Sequence, residues 1–243
     1  AFPDAWHEYE AIEAECEKAG RECDFKVIYG VEAYLVDDLK DMIVNPKGQH
    51  LNDRYVVFDL ETTGFSAKSD KIIEIGAVKV ENGKIIDRFS TFVNPEIPIP
   101  FRIEKLTSIN DEMVIDAPKI EEILPKFMEF CKDSVMVAHN SDFDMSFIEA
   151  NCKRQDLECD FTVIDTVAMS RYLIIGLGRY KLDNVAKALG IVLDHHHRAV
   201  DDAECTALIF LKLCKMLEGK GIDNLDELNR QGKQSKNLID KLP

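Results

Sequence analysis

The chain has 243 residues, with 30 Lys plus Arg against 45 Asp plus Glu, a formal net charge of −15 at pH 7. Apolar residues at 46% and charged residues at 31% exclude a disordered or low-complexity chain and allow a sizeable core. The acidic balance argues against broad, charge-driven binding to nucleic acid, but not against an enzyme that carries its carboxylates as cation ligands. In chain order, Trp6, Tyr9, Ile12 and Cys16 recur at helical spacing, and Gly20 ends that helix. Phe25–Tyr29 is a β-rich run that Val31–Val36 extends, and Asn45-Pro46-Lys47-Gly48 is a turn cluster. Tyr55-Val56-Val57-Phe58 is a short apolar run that stops at Asp59, the pattern of a buried strand. Strands are predicted over 71–80 and 85–93, joined through the Asn82-Gly83 hairpin signal. Pro95, Pro98 and Pro100 then break the chain. A helix over 118–131, a strand over 135–138, a helix over 142–153 and a short strand over 162–164 follow. Helices over 166–174, 181–189 and 200–218 complete the series. Three meandering strands followed by alternating helices and strands imply an α/β domain with a mixed five-stranded sheet.

No apolar run approaches the roughly 18 residues needed to cross a bilayer, so no membrane partner is expected. The seven Cys are odd in number and form no Cys-x-x-Cys pair, which fits reduced thiols in a cytoplasmic protein. Ala1 is not an initiator Met, and Asp4, Glu8 and Glu10 stand where a signal peptide would be basic. The chain therefore reads as cut from something longer.

Three segments carry chemistry. Asp59-Leu60-Glu61 lies at the C-terminal end of the first buried strand, where alternation puts both acids on one face. Two carboxylates held that close repel, and a cation between them removes the cost. An exposed strand end is the plain alternative, but the apolar run before the pair and Thr62-Thr63-Gly64 after it favour a site. His139-Asn140-Ser141-Asp142-Phe143-Asp144 follows the fourth strand, over 135–138, and opens a helix, where the dipole favours an ionised Asp144. Helix capping alone explains Ser141 or Asp142; it does not explain Asn140 with Asp144. His197-Arg198-Ala199-Val200-Asp201-Asp202 opens the last long helix, close enough in sequence to bring an imidazole and a carboxylate to one opening. The run His195-His196-His197 is also compatible with an exposed polar loop. All-oxygen ligands choose Mg²⁺ or Mn²⁺ over zinc. The four charges of Asp59, Glu61, Asp144 and Asp202 match two such ions, an arrangement suited to phosphodiester hydrolysis. His197 suits the base that takes the proton of water.

Asp59-Leu60-Glu61-Thr62-Thr63-Gly64, Asn140-x-x-Phe143-Asp144 and His197-x-Ala199-x-x-Asp202-Ala203 resemble the three exonuclease motifs of the DnaQ-like superfamily, in its His-bearing (DEDDh) branch. The resemblance spans about residues 54–218. It implies an RNase H-like fold and 3′→5′ exonuclease activity with two Mg²⁺ or Mn²⁺ ions. It implies that Asp59, Glu61, Asp144 and Asp202 hold metal and that His197 is general base. Thr62, Gly64, Leu106, Thr107, Asn140 and Phe143 would contact the substrate, Thr62 and Gly64 by hydroxyl and backbone. Leu106-Thr107-Ser108-Ile109 resembles the family's Leu-Thr-Gly-Ile element, with Ser108 in place of Gly; where that Gly has a positive φ, Ser is strained.

The run from Phe25 to Asp38 resembles the segment that precedes the exonuclease in replicative polymerases of the PolC type, where the nuclease is inserted in a PHP domain. That resemblance implies a partial PHP segment and linker over 1–50, the exonuclease domain over 51–220, and a return toward PHP over 221–243. The implied partners are a single-stranded 3′ end of DNA and the PHP and polymerase domains of the same chain, and the implied role is proofreading. Glu32 matches a PHP position used for metal, without its His and Asp partners. An RNA-trimming exonuclease of the same superfamily and a catalytically silent interaction module are the competing readings.

Overall fold

The computed structural model describes residues 2–21, 23, 41–51, 53–192 and 198–231. The predicted strand over 25–36, Glu32 and His197 lie outside the described residues. The chain forms two compact units, residues 1–38 and 39–243. In the first, helix α1 (Phe2–Lys18) ends where Gly20 takes φ 63° and donates its N–H to the Glu17 carbonyl at 3.1 Å.

The second unit is built on a six-stranded sheet in the order β1-β6-β5-β2-β3-β4. Its strands are β1 (Ile43–Val44), β2 (Tyr55–Thr62), β3 (Ile72–Glu81), β4 (Lys84–Phe92), β5 (Val135–Ala138) and β6 (Val163–Asp165). β2, β3 and β4 pair antiparallel, while β5 runs parallel to both β2 and β6, so the mixed sheet is as expected. The sixth strand, β1, has two residues and pairs antiparallel with β6. Two residues followed by Asn-Pro carry no periodicity, which is why five strands were expected. β2 also runs past the apolar stretch: Asp59, Glu61 and Thr62 keep pairing with β3, with a register shift between Glu61 and Thr62.

Helices cover both faces. α4 (Ile120–Cys131) and α5 (Ser141–Arg154) pack one face on Val56, Phe58, Leu60, Met136 and Ala138. α6 (Thr166–Leu173), α7 (Leu182–Ala188) and α8 (Ala199–Glu218) pack the other on Tyr55, Val57, Val78, Val137 and Ile164. These are the alternating residues of the same strands, buried on both sides, so a near-continuous apolar run reads as a strand rather than as an amphipathic edge. Two short helices, α2 (Phe101–Thr107) and α3 (Asp111–Val114), stand over a small cluster of Ile73, Ile99, Ile103, Ile109 and Val114. Ser108 caps α2 with φ 60° and ψ 15°, so the residue that replaces glycine does sit in the left-handed region.

Within this unit, the chain segments before β2 and after α8 are tied together. Leu51 donates its N–H to the Asp223 carbonyl at 2.9 Å, and Leu225 donates to the Gln49 carbonyl at 3.1 Å. The Asn229 amide brackets β1, accepting from Ile43 N–H at 3.0 Å and donating to its carbonyl at 2.7 Å. Residues 225–231 are helical, and Ile222, Leu225 and Leu228 are buried in the same core as β1. Cys131, Cys152, Cys159, Cys205 and Cys214 are free thiols. Among the described residues no helix is long and apolar enough to cross a membrane.

Candidate active site

Strand β2 sets the first two acids. Its alternation turns Phe58 and Leu60 into the core beneath α5, so Asp59 and Glu61 project toward α8. α8 supplies the third. Asp202 lies in its first turn, donating its N–H to the Arg198 carbonyl at 3.1 Å, and one carboxylate oxygen from each of Asp59, Glu61 and Asp202 falls within 4.8 Å of the others. The fourth comes from α5, whose first turn reaches the end of the sheet. Asp144 is buried, and its Oδ1 accepts the Leu60 N–H at 3.1 Å. Asn140, the N-cap of α5, takes φ 76° and makes no side-chain cap bond. Its N–H donates instead to Asp165 Oδ1 at 3.1 Å, which locks the turn that presents Asp144.

Asp59 lies close enough to the other three acids to feel the charge of each. Burial pushes the Asp59 carboxyl well above the ordinary range; Asp144, Glu61 and Asp202 push it further, in that order. Burial also raises Asp144, against the lowering pull of the Leu60 N–H bond. Glu61 is pushed up to about 7 by burial, then by Asp202 and Glu74. An all-oxygen group of this kind suits a hard divalent cation, whose charge removes the repulsion that lifts these values.

Beside the acids is a cavity of about 310 Å³ lined by Asp59, Glu61 and Asp202 at its floor and by Phe65, Leu106 and Phe143 among its walls. Thr62 and Thr107 also line it. The Thr62 hydroxyl donates to the Gly64 carbonyl at 2.6 Å, and the Thr107 hydroxyl donates to the Ile103 carbonyl at 3.0 Å. Leu106 is half exposed, and the Phe143 ring lies 6.4 Å from Phe65 and 5.3 Å from Phe147. Asn140 and Gly64 shape the backbone next to the cavity and do not line it.

Several lining residues were not legible as such. Phe65 is 70% exposed at the mouth, and its only sequence signal is its place after Thr63-Gly64. Leu182, at the start of α7, lines the wall from a segment read only as a helix over 181–189. His139 also lines the cavity, with Nε2 2.9 Å from the Tyr180 carbonyl and Nδ1 2.9 Å from the Thr166 hydroxyl. A carbonyl only accepts, so Nε2 carries the proton, and burial lowers the ring's pKa. Both ring nitrogens are engaged, so His139 is a strut that holds the Tyr180 loop to the end of β5, not a free base.

Comparison with known proteins adds the following. The profile of the exonuclease family (RNase_T) matches residues 56–210. The chain is 49% identical over 229 residues to the PolC-type DNA polymerase III of Caldanaerobacter subterraneus subsp. tengcongensis, covering 94% of this chain and 16% of that one. It is 49% identical over 232 residues to the Clostridium perfringens protein of the same name, covering 95% of this chain and 15% of that one. The chain thus spans about one sixth of the length of these relatives. Among solved structures, exonuclease X in complex with 5′ overhanging duplex DNA is similar at a TM-score of 0.54 and 29% identity, covering 69% of this chain and 93% of that one. The nuclease domain of 3′hExo, a DEDDh family member bound to rAMP, shares the fold at a TM-score of 0.59 and 21% identity, covering 68% of this chain and 93% of that one.

Proposed function

Because the chain belongs to the exonuclease family, we propose that its cleft hydrolyses the 3′-terminal phosphodiester of a DNA strand, releasing 5′-mononucleotides. The observation that carries this reading is the convergence of Asp59, Glu61, Asp144 and Asp202, from three distant chain segments, at one end of the sheet beside an apolar-walled cavity. These four would hold two divalent ions, Mg²⁺ or Mn²⁺. The ions supply Lewis acidity and the neutralising charge that attack of water on a phosphodiester requires. The chain's own groups do the rest. His197, the residue before Arg198, takes the water proton on its imidazole. Phe65, Leu106 and Phe143 receive the terminal base, and their apolar surface keeps bulk water from it. Thr62 and Thr107 have their hydroxyls committed to backbone carbonyls, so they fix the cleft's walls more than they bind the nucleotide.

DNA is favoured over RNA by the two relatives, both named as DNA polymerases. A proofreading role follows: a mismatched 3′ end costs less to unpair and is delivered more often to the cleft. In this reading residues 1–50 and 221–243 are the flanks by which the nuclease is inserted in the PHP domain of a cytoplasmic polymerase. The paired incoming and outgoing segments at β1 and 222–231 are what such an insertion needs.

The test is to incubate the chain with 5′-labelled single-stranded DNA and with RNA of the same sequence, with and without Mg²⁺. A metal-dependent ladder shortened from the 3′ end, faster on DNA and absent in Asp144→Asn and Asp202→Asn, is expected. His197→Ala should flatten the rising limb of the pH–rate profile. No shortening, or shortening that survives both Asp substitutions, overturns the assignment.

A further inference from the structure

Glu74 is a fully buried acid close to Asp59 and Glu61, but both of its carboxylate oxygens are taken up by Arg198 and the Ala199 N–H. In the sheet it stands opposite Glu61 on β2 and opposite Phe92 on β4. Its Oε1 accepts two bonds from Arg198, from Nε at 2.9 Å and from Nη2 at 2.7 Å. Its Oε2 accepts the Ala199 N–H at 3.1 Å. The Arg198 guanidinium also lies over the Phe92 ring, 4.8 Å from its centre.

α8 makes no side-chain cap bond of its own: Arg198 occupies the N-cap position and cannot accept one. The missing acceptor is supplied from the sheet, by a carboxylate placed where the helix dipole favours negative charge. Two residues along β3, on the same face, Gly76 leaves room for the backbone of Ala199 and Val200 to lie directly on the strand. Glu74 and Gly76 together form a seat for the first turn of α8, and Asp202 is bonded to Arg198 within that turn.

We propose that Glu74 is a positioning residue for the metal centre: it caps α8 and clamps Arg198, and so fixes Asp202 against Asp59 and Glu61 without binding an ion itself. This rests on the carboxylates being the metal site. Glu74 would act as an outer partner that orients a ligand, and losing such a partner weakens metal binding or activity by about 10–100-fold.

The variants are Glu74→Ala, Glu74→Gln, Arg198→Met and Glu74→Gln/Arg198→Met. Each is titrated with Mn²⁺ alone by calorimetry, melted, and assayed on the DNA oligomer across Mn²⁺ concentrations. Glu74→Ala and Arg198→Met should weaken Mn²⁺ binding by about 10–100-fold. They should lower kcat with KM for the oligomer unchanged, and excess Mn²⁺ should recover part of the rate. Glu74→Gln keeps an acceptor for the Ala199 N–H and should lose less. The double variant should be no worse than its worse single, because the pair acts as one unit. If Glu74→Ala does not fold, Glu74→Gln and Arg198→Lys carry the same comparison. Unchanged Mn²⁺ binding in all variants overturns the proposal. So does an unchanged Arg198→Met beside a weakened Glu74→Gln, which would make Glu74 a ligand. A parent chain that binds Mn²⁺ but leaves DNA intact would refute the nuclease reading and leave this one standing on the titrations.

Discussion

Replacing Gly76 with Ala puts one methyl group where α8 meets the sheet. A Cβ at that position would lie 2.1 Å from Ala199 C and from Val200 N, and 2.5 Å from the Ala199 carbonyl oxygen. These are backbone atoms, so no side-chain rotation relieves the clash. Ordinary contact begins near 3.4 Å, so the first turn of α8 must retreat by more than about 1 Å. Asp202 rides on that turn. Its carboxylate leaves the group with Asp59 and Glu61, while the core strands beneath it stay packed. Overpacking of this kind costs about 1–3 kcal/mol, and a displacement of about 1 Å at a catalytic group costs on the order of 100-fold in rate. Urea unfolding, the rate of 3′ shortening per folded molecule and the Mn²⁺ titration read the two effects separately. Gly178→Ala is the control, since a Cβ there meets nothing within 4 Å. A Gly76→Ala variant that unfolds with the parent's midpoint and works within about threefold of its rate would refute the seating of α8 on β3 as the device that places Asp202.

Two further outcomes follow from the same geometry. Glu61 titrates near 4.5 in an ordinary setting and about 7 here, and at about 1.4 kcal/mol for each tenfold in proton concentration that is roughly 3 kcal/mol. A raised carboxylate pKa means the folded chain holds protons that the unfolded chain has released, so stability falls as pH rises between those values and the loss is complete above about 7. The chain without metal should therefore melt lower at pH 8 than at pH 5.5, and Mg²⁺ should raise the midpoint more at pH 8; equal gains at both pH values would contradict the buried-acid account. Ser108→Gly should stabilise the chain by about 1 kcal/mol, read as a higher urea midpoint, because it relieves a left-handed backbone at φ 60°; an unchanged or lower midpoint would mean Ser108 is not strained.

The strands and the acids were legible for a common reason: an apolar run buried on both faces stops where polar chemistry begins. That marked Asp59 and Glu61 at the end of β2, while Asp144 and Asp202 were legible as acids in the polar starts of two helices. α2 was hidden by Pro98 and Pro100, which read as breakers, although a proline just ahead of a helix is compatible with its start. Glu74 was hidden by alternation. A polar residue within a strand reads as solvent-facing, and its burial depends on Arg198, which is 124 residues away in sequence. Phe65 and Leu182 gained their role from the neighbours that the fold assembled around them, a relation no local pattern encodes.

The placement of the acids also explains how an acidic chain tolerates such a centre. Asp144 and Asp202 each lie in the first turn of a helix, α5 and α8, where unsatisfied N–H groups and the helix dipole favour negative charge. Asp144 takes a further N–H from Leu60, and Glu74 is neutralised by Arg198. These partners lower the cost of bringing the carboxylates together but do not cancel it, since Asp59, Glu61 and Asp144 still stay raised. Above about pH 7, where protons no longer do so, what remains unbalanced is charge that a small, multiply charged cation can match at that distance. In the proposed reaction the same residual negative charge would repel a phosphate, so apolar walls at Phe65, Leu106 and Phe143 would hold a strand end in register only once that charge has been met.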